Sequence, residues 1–278
     1  MPRETSNPPG ATSPAMSIFD VTSRNRANWN RIAPERAGRP AAYFRDGGST
    51  LAAYERELAG DVAGKRVLQL ACSTGDEVLS WAQLGAIAFG ADISDVAIDK
   101  ARRKAVDAEI DVEFHRADMF ELPPALTELD LIYLSWGAIC WAPDLDALVA
   151  VITERLRTHG SVLISDHHPL WEILTVRGEN QLTVTGDYFG RGVPRNSPDA
   201  TKRPIGARQE DEVPPFAAFV WPVSDVVMAL VRAGLRLDAF FEGSEPAIYP
   251  ELGDAAGWLP AYYVIKATKM GPPVTSLC

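Results

Sequence analysis

The chain has 278 residues, of which 46% are apolar and 23% charged, a composition that predicts a globular protein with a substantial core. Its formal net charge of −10 argues against a nucleic-acid partner, because phosphate binding needs a basic surface. The three cysteines, Cys72, Cys140 and Cys278, are too widely spaced for a typical disulfide or zinc motif. No apolar run reaches the roughly 18 residues of a membrane span, and no secretory signal is present. We therefore expect a cytoplasmic protein with no membrane partner.

The N-terminal part divides into two predicted segments. Residues 1–16 are rich in proline, serine, threonine and glycine, which predicts a disordered tail, and Met16 is an alternative start of translation. Residues 17–60 show an amphipathic helical pattern that is interrupted by prolines, and we expect a helical lid. Because the lid carries aromatic side chains, we include a homo-oligomer among the expected assemblies.

From residue 61 onward, predicted strands and helices alternate. The strands are expected at Lys65–Ala71, Ala86–Ala91, Val112–Ala117, Asp130–Ser135 and Ser161–Ser165. The helices are expected at Asp76–Leu84, from the N-cap Ser94 to about Ala108, and at Leu145–Arg157, with Gly160 ending the last one. This order predicts an α/β domain over residues 61–268, with a parallel sheet covered by helices on both faces.

The alternation stops over residues 169–222, which hold many glycines and prolines. A segment this long and irregular is usually a lid or a binding insertion, and we expect it to cover the substrate. The alternation resumes with a helix at Ser224–Ala233 and strands at Leu235–Phe241 and Tyr262–Thr268. Residues 269–278 are predicted to form a C-terminal tail.

The turn after the first predicted strand is the most informative segment. In VLQLACSTGDEVLSWA, residues 67–82, the turn contains the small residues Ala71, Ser73 and Gly75, which allow the backbone to approach a ligand closely. The helix that follows presents free N–H groups and the positive end of its dipole. With one glycine, this turn lacks the GxGxxG pattern that accommodates the pyrophosphate of a dinucleotide.

This turn resembles the first motif of class I S-adenosylmethionine-dependent methyltransferases. Ala71 and Ser73 replace two glycines of that motif, and Gln69 replaces an acidic residue that reaches the methionine amino group. The chain is also similar to actinobacterial natural-product tailoring enzymes, such as teleocidin-type C-methyltransferases and lincosamide N-methyltransferases. The similar strings are Gly47-Gly48, Leu79–Ala86, Asp92–Ile98, Gly137–Leu145 and His168-Pro169.

The resemblance implies a Rossmann-like fold, a cofactor and a reaction. The expected sheet has seven strands in the order 3-2-1-4-5-7-6, with strand seven antiparallel. The expected cofactor is S-adenosyl-L-methionine. The expected reaction is methyl transfer to a small, aromatic or bulky apolar metabolite of a biosynthetic pathway.

The resemblance also assigns roles to residues at the ends of the strands. Asp92 is expected to bind the ribose hydroxyls, Asp118 the adenine amino group and Met119 the adenine ring. Helix capping is the alternative role for Asp92, and core packing is the alternative for Met119. The cofactor-binding residues are expected to be Trp29, Tyr43, Ala71, Cys72, Ser73, Gly75, Asp92, Ile93, Asp118, Met119 and Ser135.

One catalytic residue and an acceptor-binding set are also predicted. His168, at the end of the fifth strand, is expected to act as a base or an orienting group, and a structural histidine is the alternative. Aromatic residues near the expected cleft favour a flat or bulky acceptor. No metal site is predicted, since adjacent side chains at Asp166 to His168 rarely converge on one ion. The acceptor is expected to contact Trp136, Trp141, His167, Tyr188 and Trp221.

Two other functions remain open. A methyltransferase fold that serves as a cyclase or partner subunit is favoured by Gln69 and by the two replaced glycines. A nicotinamide-dependent oxidoreductase shares the strand–turn–helix and the acidic end of the second strand, but not the glycine pattern. A DNA amino-methyltransferase is excluded by the acidic composition and by LSWGA, residues 134–138, in place of an (N/D/S)PP(Y/F) motif.

Overall fold

The computed structural model describes residues 16–176, 181–192, 194 and 216–271. Residues 1–15 of the predicted tail, and much of the predicted insertion, lie outside these ranges. The helices are α1 Ile18–Ile32, α2 Ala41–Arg45, α3 Ala53–Ala59, α4 Asp76–Gln83, α5 Asp95–Ala108, α6 Leu145–Arg155, α7 Leu170–Ile173 and α8 Val223–Arg232. Short 3₁₀ helices lie at Ala33–Glu35, Ile139–Trp141, Pro246–Ile248 and Pro250–Trp258. The strands are β1 Arg66–Leu70, β2 Ile87–Asp92, β3 Glu113–Arg116, β4 Leu129–Ser135, β5 Leu156–His167, β6 Leu174–Val176, β7 Leu182–Val184, β8 Leu235–Gly243 and β9 Tyr262–Lys269.

Seven strands form one sheet in the order β3-β2-β1-β4-β5-β9-β8. The strands from β3 to β5 are parallel, whereas β9 runs antiparallel to both of its neighbours. Counted without the separate hairpin of β6 and β7, this is the order 3-2-1-4-5-7-6 with an antiparallel seventh strand. The predicted Rossmann-like methyltransferase fold is therefore confirmed.

Both faces of the central strands are buried, as the continuous apolar runs predict. Alternate residues of β1 and β4, such as Leu68 and Leu134, pack on the face that α6 and α8 cover. The intervening residues, such as Val67 and Tyr133, pack on the face that α4 and α5 cover together with the N-terminal helices. The carboxyl ends of β1, β2, β3 and β4 consequently meet at one edge between two rigid layers.

Helix α1 is anchored above this edge. It begins with a capping box in which Ser17 and Asp20 bond each other's backbone N–H groups. Asn25 exchanges two hydrogen bonds of 2.9 Å with the backbone of Ala217. Arg26 forms a forked ion pair with Asp95 at the first residue of α5, its closest contact being 2.8 Å. These contacts join the N-terminal helix to both sides of the sheet edge.

One helix end differs from the prediction. Helix α6 ends at Arg155, and Gly160 lies inside β5 instead of after the helix. Leu156 already has extended backbone angles, and the left-handed conformation belongs to His159, with φ of 63°. A Cβ at position 160 would lie 2.5 Å from the carbonyl oxygen of Leu129, so close strand packing accounts for the glycine.

Within the described residues, no helix combines the length and the apolar character that crossing a bilayer requires.

Candidate functional site

In the turn between β1 and α4, two residues that carry a Cβ have left-handed backbone angles, a conformation that favours glycine. Ala71 and Ser73 have φ angles of 53° and 49°, and Gly75 has a φ of 81°. Left-handed angles strain a residue with a Cβ by about 1–2 kcal/mol. At Gly75 no side chain fits, because a Cβ there would lie 2.5 Å from the ring of Phe114. The turn is thus held in a shape that its own residues disfavour.

Asp92, at the end of β2, holds this turn in place. One carboxylate oxygen accepts the backbone N–H of Ser73, and the other accepts that of Ser94, each at 2.8 Å. Burial raises the pKa of Asp92, while these N–H groups and the charge of Arg36 oppose the rise. Each carboxylate oxygen has a second acceptor position, so the group can also receive two hydroxyl protons.

A cleft, here called the donor cleft, opens at this edge of the sheet. It contains about 890 Å³ of empty space, counted out to its open mouth. Its walls come from α1, the turn after β1, and the ends of β2, β3 and β4. Such an edge is where open α/β sheets bind ligands. The predicted cofactor residues that line it are Trp29, Ala71, Ser73, Asp92, Ile93, Asp118, Met119 and Ser135.

Three residues of the predicted cofactor set lie outside the donor cleft. The Tyr43 hydroxyl donates to the carbonyl oxygen of Ser49 at 2.8 Å, and its ring packs beside Gly48. The Cys72 side chain is buried on the opposite side of the turn, against Gly90. Gly75 meets the ring of Phe114. None of these three residues lines the donor cleft.

Sequence reasoning did not identify several residues that line the cleft. Thr22, Asn25 and Ala33 reach it from α1 and the turn that follows, and Phe120 reaches it beyond β3. Arg36 also lines it, with its guanidinium 5.0 Å from the centre of the Trp29 ring. Burial lowers the pKa of Arg36, and the charge of Asp92 opposes this shift. No local motif marks these positions, since they depend on how α1 docks.

Three aromatic rings close one end of the cleft. Trp29 meets Trp141 edge-on at 5.2 Å between ring centres, and it meets Phe216 at 5.1 Å. Trp141 and Phe216 are themselves 5.2 Å apart. The three rings join α1, the segment after β4 and the segment before α8. This aromatic cap makes closure of the cleft depend on all three segments.

The predicted acceptor residues divide into two groups. Trp136 and Trp141 line the donor cleft. His167 and Trp221 instead border a smaller cavity below it, where the Trp221 indole N–H donates to the carbonyl oxygen of Ala142 at 2.8 Å. The Tyr188 hydroxyl accepts the backbone N–H of Val223 at 3.4 Å and does not line the donor cleft.

His167 and Asp166 fasten the loop that carries Trp136. Asp166 accepts the backbone N–H groups of Gly137 and Ile139, the latter at 2.9 Å. The His167 ring nitrogens lie 3.2 Å from Asp166 and 3.0 Å from Glu172. Burial acts to lower the pKa of His167, but the two carboxylates outweigh it and raise the pKa to about 10. The protonated imidazole therefore stabilises the floor of the cleft.

His168 was predicted as the catalytic residue, but the structure does not bring it to the cleft. Its side chain is 7% exposed, and its Nε2 lies 2.9 Å from Glu242. Its Nδ1 accepts the backbone N–H of Leu170 at 3.2 Å, so both ring nitrogens are engaged. Burial lowers the pKa of His168, and Glu242 opposes this shift. The residue joins the end of β5 to β8, which is the structural alternative.

Cys140, His167 and Glu172 offer three ligand atoms within 4.8 Å of one another. The sequence had suggested no such set. A protonated imidazole between two carboxylates is an ion-pair network, and it has no free nitrogen lone pair with which to bind a metal. Burial also raises the pKa of the Cys140 thiol well above its usual range, and the thiol faces the Gly137 carbonyl oxygen at 3.3 Å. We therefore assign this cluster a structural role.

Comparisons with known proteins agree with this geometry. Residues 67–160, about a third of the chain, match the family model described as "Methyltransferase domain". Over 152 residues the chain is 31% identical to the magnesium-protoporphyrin O-methyltransferase of Rhodobacter capsulatus. That match covers 53% of this chain and 65% of the relative, slightly less than two thirds of its length.

Solved structures share the fold at low sequence identity. An S-adenosylmethionine-dependent methyltransferase from Mesorhizobium loti superposes with a TM-score of 0.60 at 20% identity, covering 81% of this chain and all of that one. The 4+2-cyclase SpnF superposes with a TM-score of 0.54 at 15% identity, covering 91% and 97%. A magnesium-protoporphyrin IX methyltransferase from Synechocystis, crystallised with S-adenosylmethionine, has a TM-score of 0.53 at 12% identity, covering 93% and 100%.

Residues 67–160 thus match a methyltransferase domain, and the described residues share the fold of solved S-adenosylmethionine-dependent methyltransferases. Solved structures with this fold have been crystallised with S-adenosylmethionine or S-adenosylhomocysteine. The subtype and the acceptor of this chain are not defined by these matches.

Proposed function

We propose that this chain transfers the methyl group of S-adenosylmethionine to a small, aromatic or bulky apolar metabolite. The observation that carries the proposal is Asp92, whose carboxylate spans two turns and faces the donor cleft with spare acceptor positions. A ribose presents two neighbouring hydroxyl groups, which match these positions. Asp118 and Met119 line the same cleft beyond β3, where the adenine is expected.

The bound cofactor supplies a methyl group that is already activated by its positive sulfonium. The residues of the chain therefore have to align the acceptor and exclude water, and such alignment can account for several kcal/mol of barrier lowering. Trp29, Trp141 and Phe216 form an apolar cap that serves both purposes. Trp136 lines the cleft next to Ser135, and its flat ring supports the proposal of a flat acceptor.

The donor cleft itself has little capacity for general base catalysis. Among the described residues that line it, the ionisable side chains are Arg36, Asp92 and Asp118. Asp92 already binds two backbone N–H groups, and no histidine is present in this set. We infer that the acceptor reacts through an atom that does not need a histidine to remove its proton.

Calorimetric titration with S-adenosylhomocysteine, the demethylated product, tests the donor site directly. Asp92→Ala should weaken its binding at least about tenfold, because two hydrogen bonds to a charged acceptor are lost. Asp99→Ala is the matched control, since that exposed residue of α5 contacts Arg102 and does not line the cleft. Thermal unfolding of each variant shows whether the turn remains folded. Unchanged affinity in a folded Asp92→Ala variant would contradict the proposed role.

The same titration separates the alternatives that the sequence left open. Binding of NADPH without binding of S-adenosylhomocysteine would favour an oxidoreductase. The likeness to a cyclase is a likeness of fold, so it supports a non-methylating role only if the donor binds and no acceptor is methylated. Methylation of any acceptor, followed as formation of S-adenosylhomocysteine, would exclude that role.

A further inference from the structure

A second cavity, here called the acidic cavity, lies beside the donor cleft and shares Trp136 with it. It contains about 640 Å³ of empty space, against about 890 Å³ for the donor cleft counted in the same way. Its walls come from α3, α4, β4 and the segment that joins β8 to β9. A molecule in the acidic cavity would therefore lie next to a molecule in the donor cleft.

The acidic cavity is lined by three carboxyl groups, and burial raises the pKa of one of them, Glu77. Glu55, Glu77 and Glu245 line it, and the described residues of its wall include no lysine, arginine or histidine. Glu55 is 2% exposed, and its oxygens accept the Tyr133 hydroxyl and the Ala52 N–H, each at 2.8 Å. Both of these donors are neutral groups.

Glu77 lies beside an acceptor atom that has no donor. The amide nitrogen of Gln69 donates to Glu77 at 3.3 Å and to the Ser135 hydroxyl at 3.0 Å. Gln69 is 2% exposed, and within the described residues its amide oxygen has no hydrogen-bond partner. Buried acceptors are nearly always satisfied. Gln69 does not itself line the cavity, but its amide nitrogen holds the Glu77 carboxylate, which does.

The remaining described residues of the wall are uncharged, and four of the seven are aromatic. Tyr54 stacks on Tyr262 with ring centres 5.4 Å apart and planes 7° from parallel, and Trp136 lies 6.0 Å from Tyr262. Burial raises the pKa of Tyr54 to about 12, and the charges of Glu55 and Glu245 act in the same direction. Neutral aromatic faces attract a cation through their ring electrons.

We propose that the acidic cavity binds the acceptor through a protonated amine, so that the acceptor is an aromatic compound carrying an ammonium group. An ammonium group supplies three donors and a positive charge, and the cavity offers carboxylates and aromatic faces. The shared wall at Trp136 places such an acceptor next to the donor cleft. This inference rests on the proposed function, since it assigns the acidic cavity to the acceptor of a methyl transfer.

The test compares amines with neutral alcohols of the same shape. Protein saturated with S-adenosylhomocysteine is titrated at pH 7 with tyramine and tyrosol, and with tryptamine and tryptophol. In at least one pair the amine should bind about tenfold more tightly than the alcohol. Glu77→Gln should reduce that preference to about twofold while leaving binding of S-adenosylhomocysteine intact. Glu57→Gln is the matched control, since Glu57 lies on α3 with an exposed side chain outside the cavity.

Two results would overturn the inference. In the first, the alcohols bind as tightly as the amines in both pairs. In the second, the amines compete with S-adenosylhomocysteine, and Glu77→Gln weakens the binding of the latter. The carboxylates would then serve the ammonium group of the donor itself. Failure of S-adenosylhomocysteine to bind, with amine preference retained on the free protein, would contradict the proposed function and leave a cation-binding cavity.

Discussion

Two aspartates at the same edge of the sheet have the same local construction and different surroundings. Asp92 is the last residue of β2 and Asp166 the last but one of β5, and each accepts backbone N–H groups of nearby loop residues. Asp166 also contacts the His167 imidazolium, whose charge and hydrogen bond outweigh burial and lower the pKa of the carboxyl group. Asp92 forms no ion pair within the described residues, and its pKa is raised by burial.

The difference indicates why one carboxylate at a strand end can bind a ligand whereas another only holds a loop in place. When a buried cation neutralises it, the carboxylate holds a loop and has nothing left to offer a ligand. When no cation of the described residues forms a direct ion pair with it and one side opens on a cleft, the same group retains free acceptor positions. Asp166 accordingly belongs to the scaffold under Trp136, and Asp92 faces the ligand.

The largest expected effect separates the two aspartates by stability. Asp166→Ala should lower the free energy of unfolding by about 3–5 kcal/mol, because it leaves a buried imidazolium and two N–H groups without a partner. Asp92→Ala should lower it by about 1–3 kcal/mol, the value of two hydrogen bonds. Urea unfolding followed by circular dichroism measures both.

Asp130→Ala controls for loss of an aspartate at the opposite end of the sheet. Asp130 pairs with Arg157, whose side chain is 42% exposed, so its loss should cost less than the loss of Asp166. Equal losses for Asp166→Ala and Asp92→Ala would show that the two carboxylates do not differ in the way described.

The second effect is a dependence of stability on pH. The pKa of His167 is raised from about 6.5 to about 10, so this contribution is complete below pH 6.5 and is lost as the pH rises through 10. Between these values the folded protein holds one more proton than the unfolded chain. The free energy of unfolding should therefore fall by up to about 1.4 kcal/mol per pH unit from this group.

His167→Gln tests that origin of the slope. The variant should be less stable at pH 7, and its stability should decline less steeply between pH 7 and 10 than that of the wild type. If the two unfolding profiles remain parallel over this range, the imidazole of His167 is not protonated in the folded protein.

The contrast between the two aspartates also shows which features of the fold and of the site can be predicted from the sequence. Asp92 and the turn after β1 lie within 30 residues of one another, and strand ends in a parallel sheet meet at one edge, so both could be predicted. The seven-stranded order followed from the alternation of elements together with the family resemblance. These inferences needed local patterns and a rule of topology.

The contacts that sequence reasoning missed are distant in the chain. Asn30 donates to Asp95 at 2.9 Å, across 65 residues, and contacts of this kind bring Thr22 and Arg36 to the cleft. No periodicity encodes such a pairing. The position of His168 away from the cleft has a related reason. Alternation along the chain directs the His168 side chain to the face opposite that of His167. On that face, the Nε2 atom of His168 forms a hydrogen bond with Glu242 of β8.

A third effect, on binding, tests the aromatic cap. Trp29→Ala should weaken binding of S-adenosylhomocysteine about tenfold and speed its dissociation, because the cap loses the ring that contacts Trp141 and Phe216. Stopped-flow measurement of dissociation checks this directly. Phe19→Ala is the control on the same helix, since Phe19 is 74% exposed and does not line the cleft. Equal dissociation rates in both variants would contradict the role of the cap.

The smallest effect concerns the strained turn that Asp92 holds. Ala71→Gly should relieve about 1–2 kcal/mol of left-handed strain, against about 0.5–1 kcal/mol of added entropy in the unfolded chain. A net gain of about 0.5 kcal/mol in the free energy of unfolding is expected, with affinity for S-adenosylhomocysteine nearly unchanged. Chemical denaturation and calorimetry measure the two quantities.

Ala138→Gly provides the matched comparison within the same cleft. Ala138 has a right-handed backbone, with φ of −78° and ψ of −42°, so the glycine relieves no strain there. This change should lower the free energy of unfolding by about 1 kcal/mol. Opposite signs at positions 71 and 138 would show that the turn stores strain which the Asp92 hydrogen bonds offset. A loss of stability at both positions would mean that Ala71 is unstrained, and that its methyl group stabilises the turn.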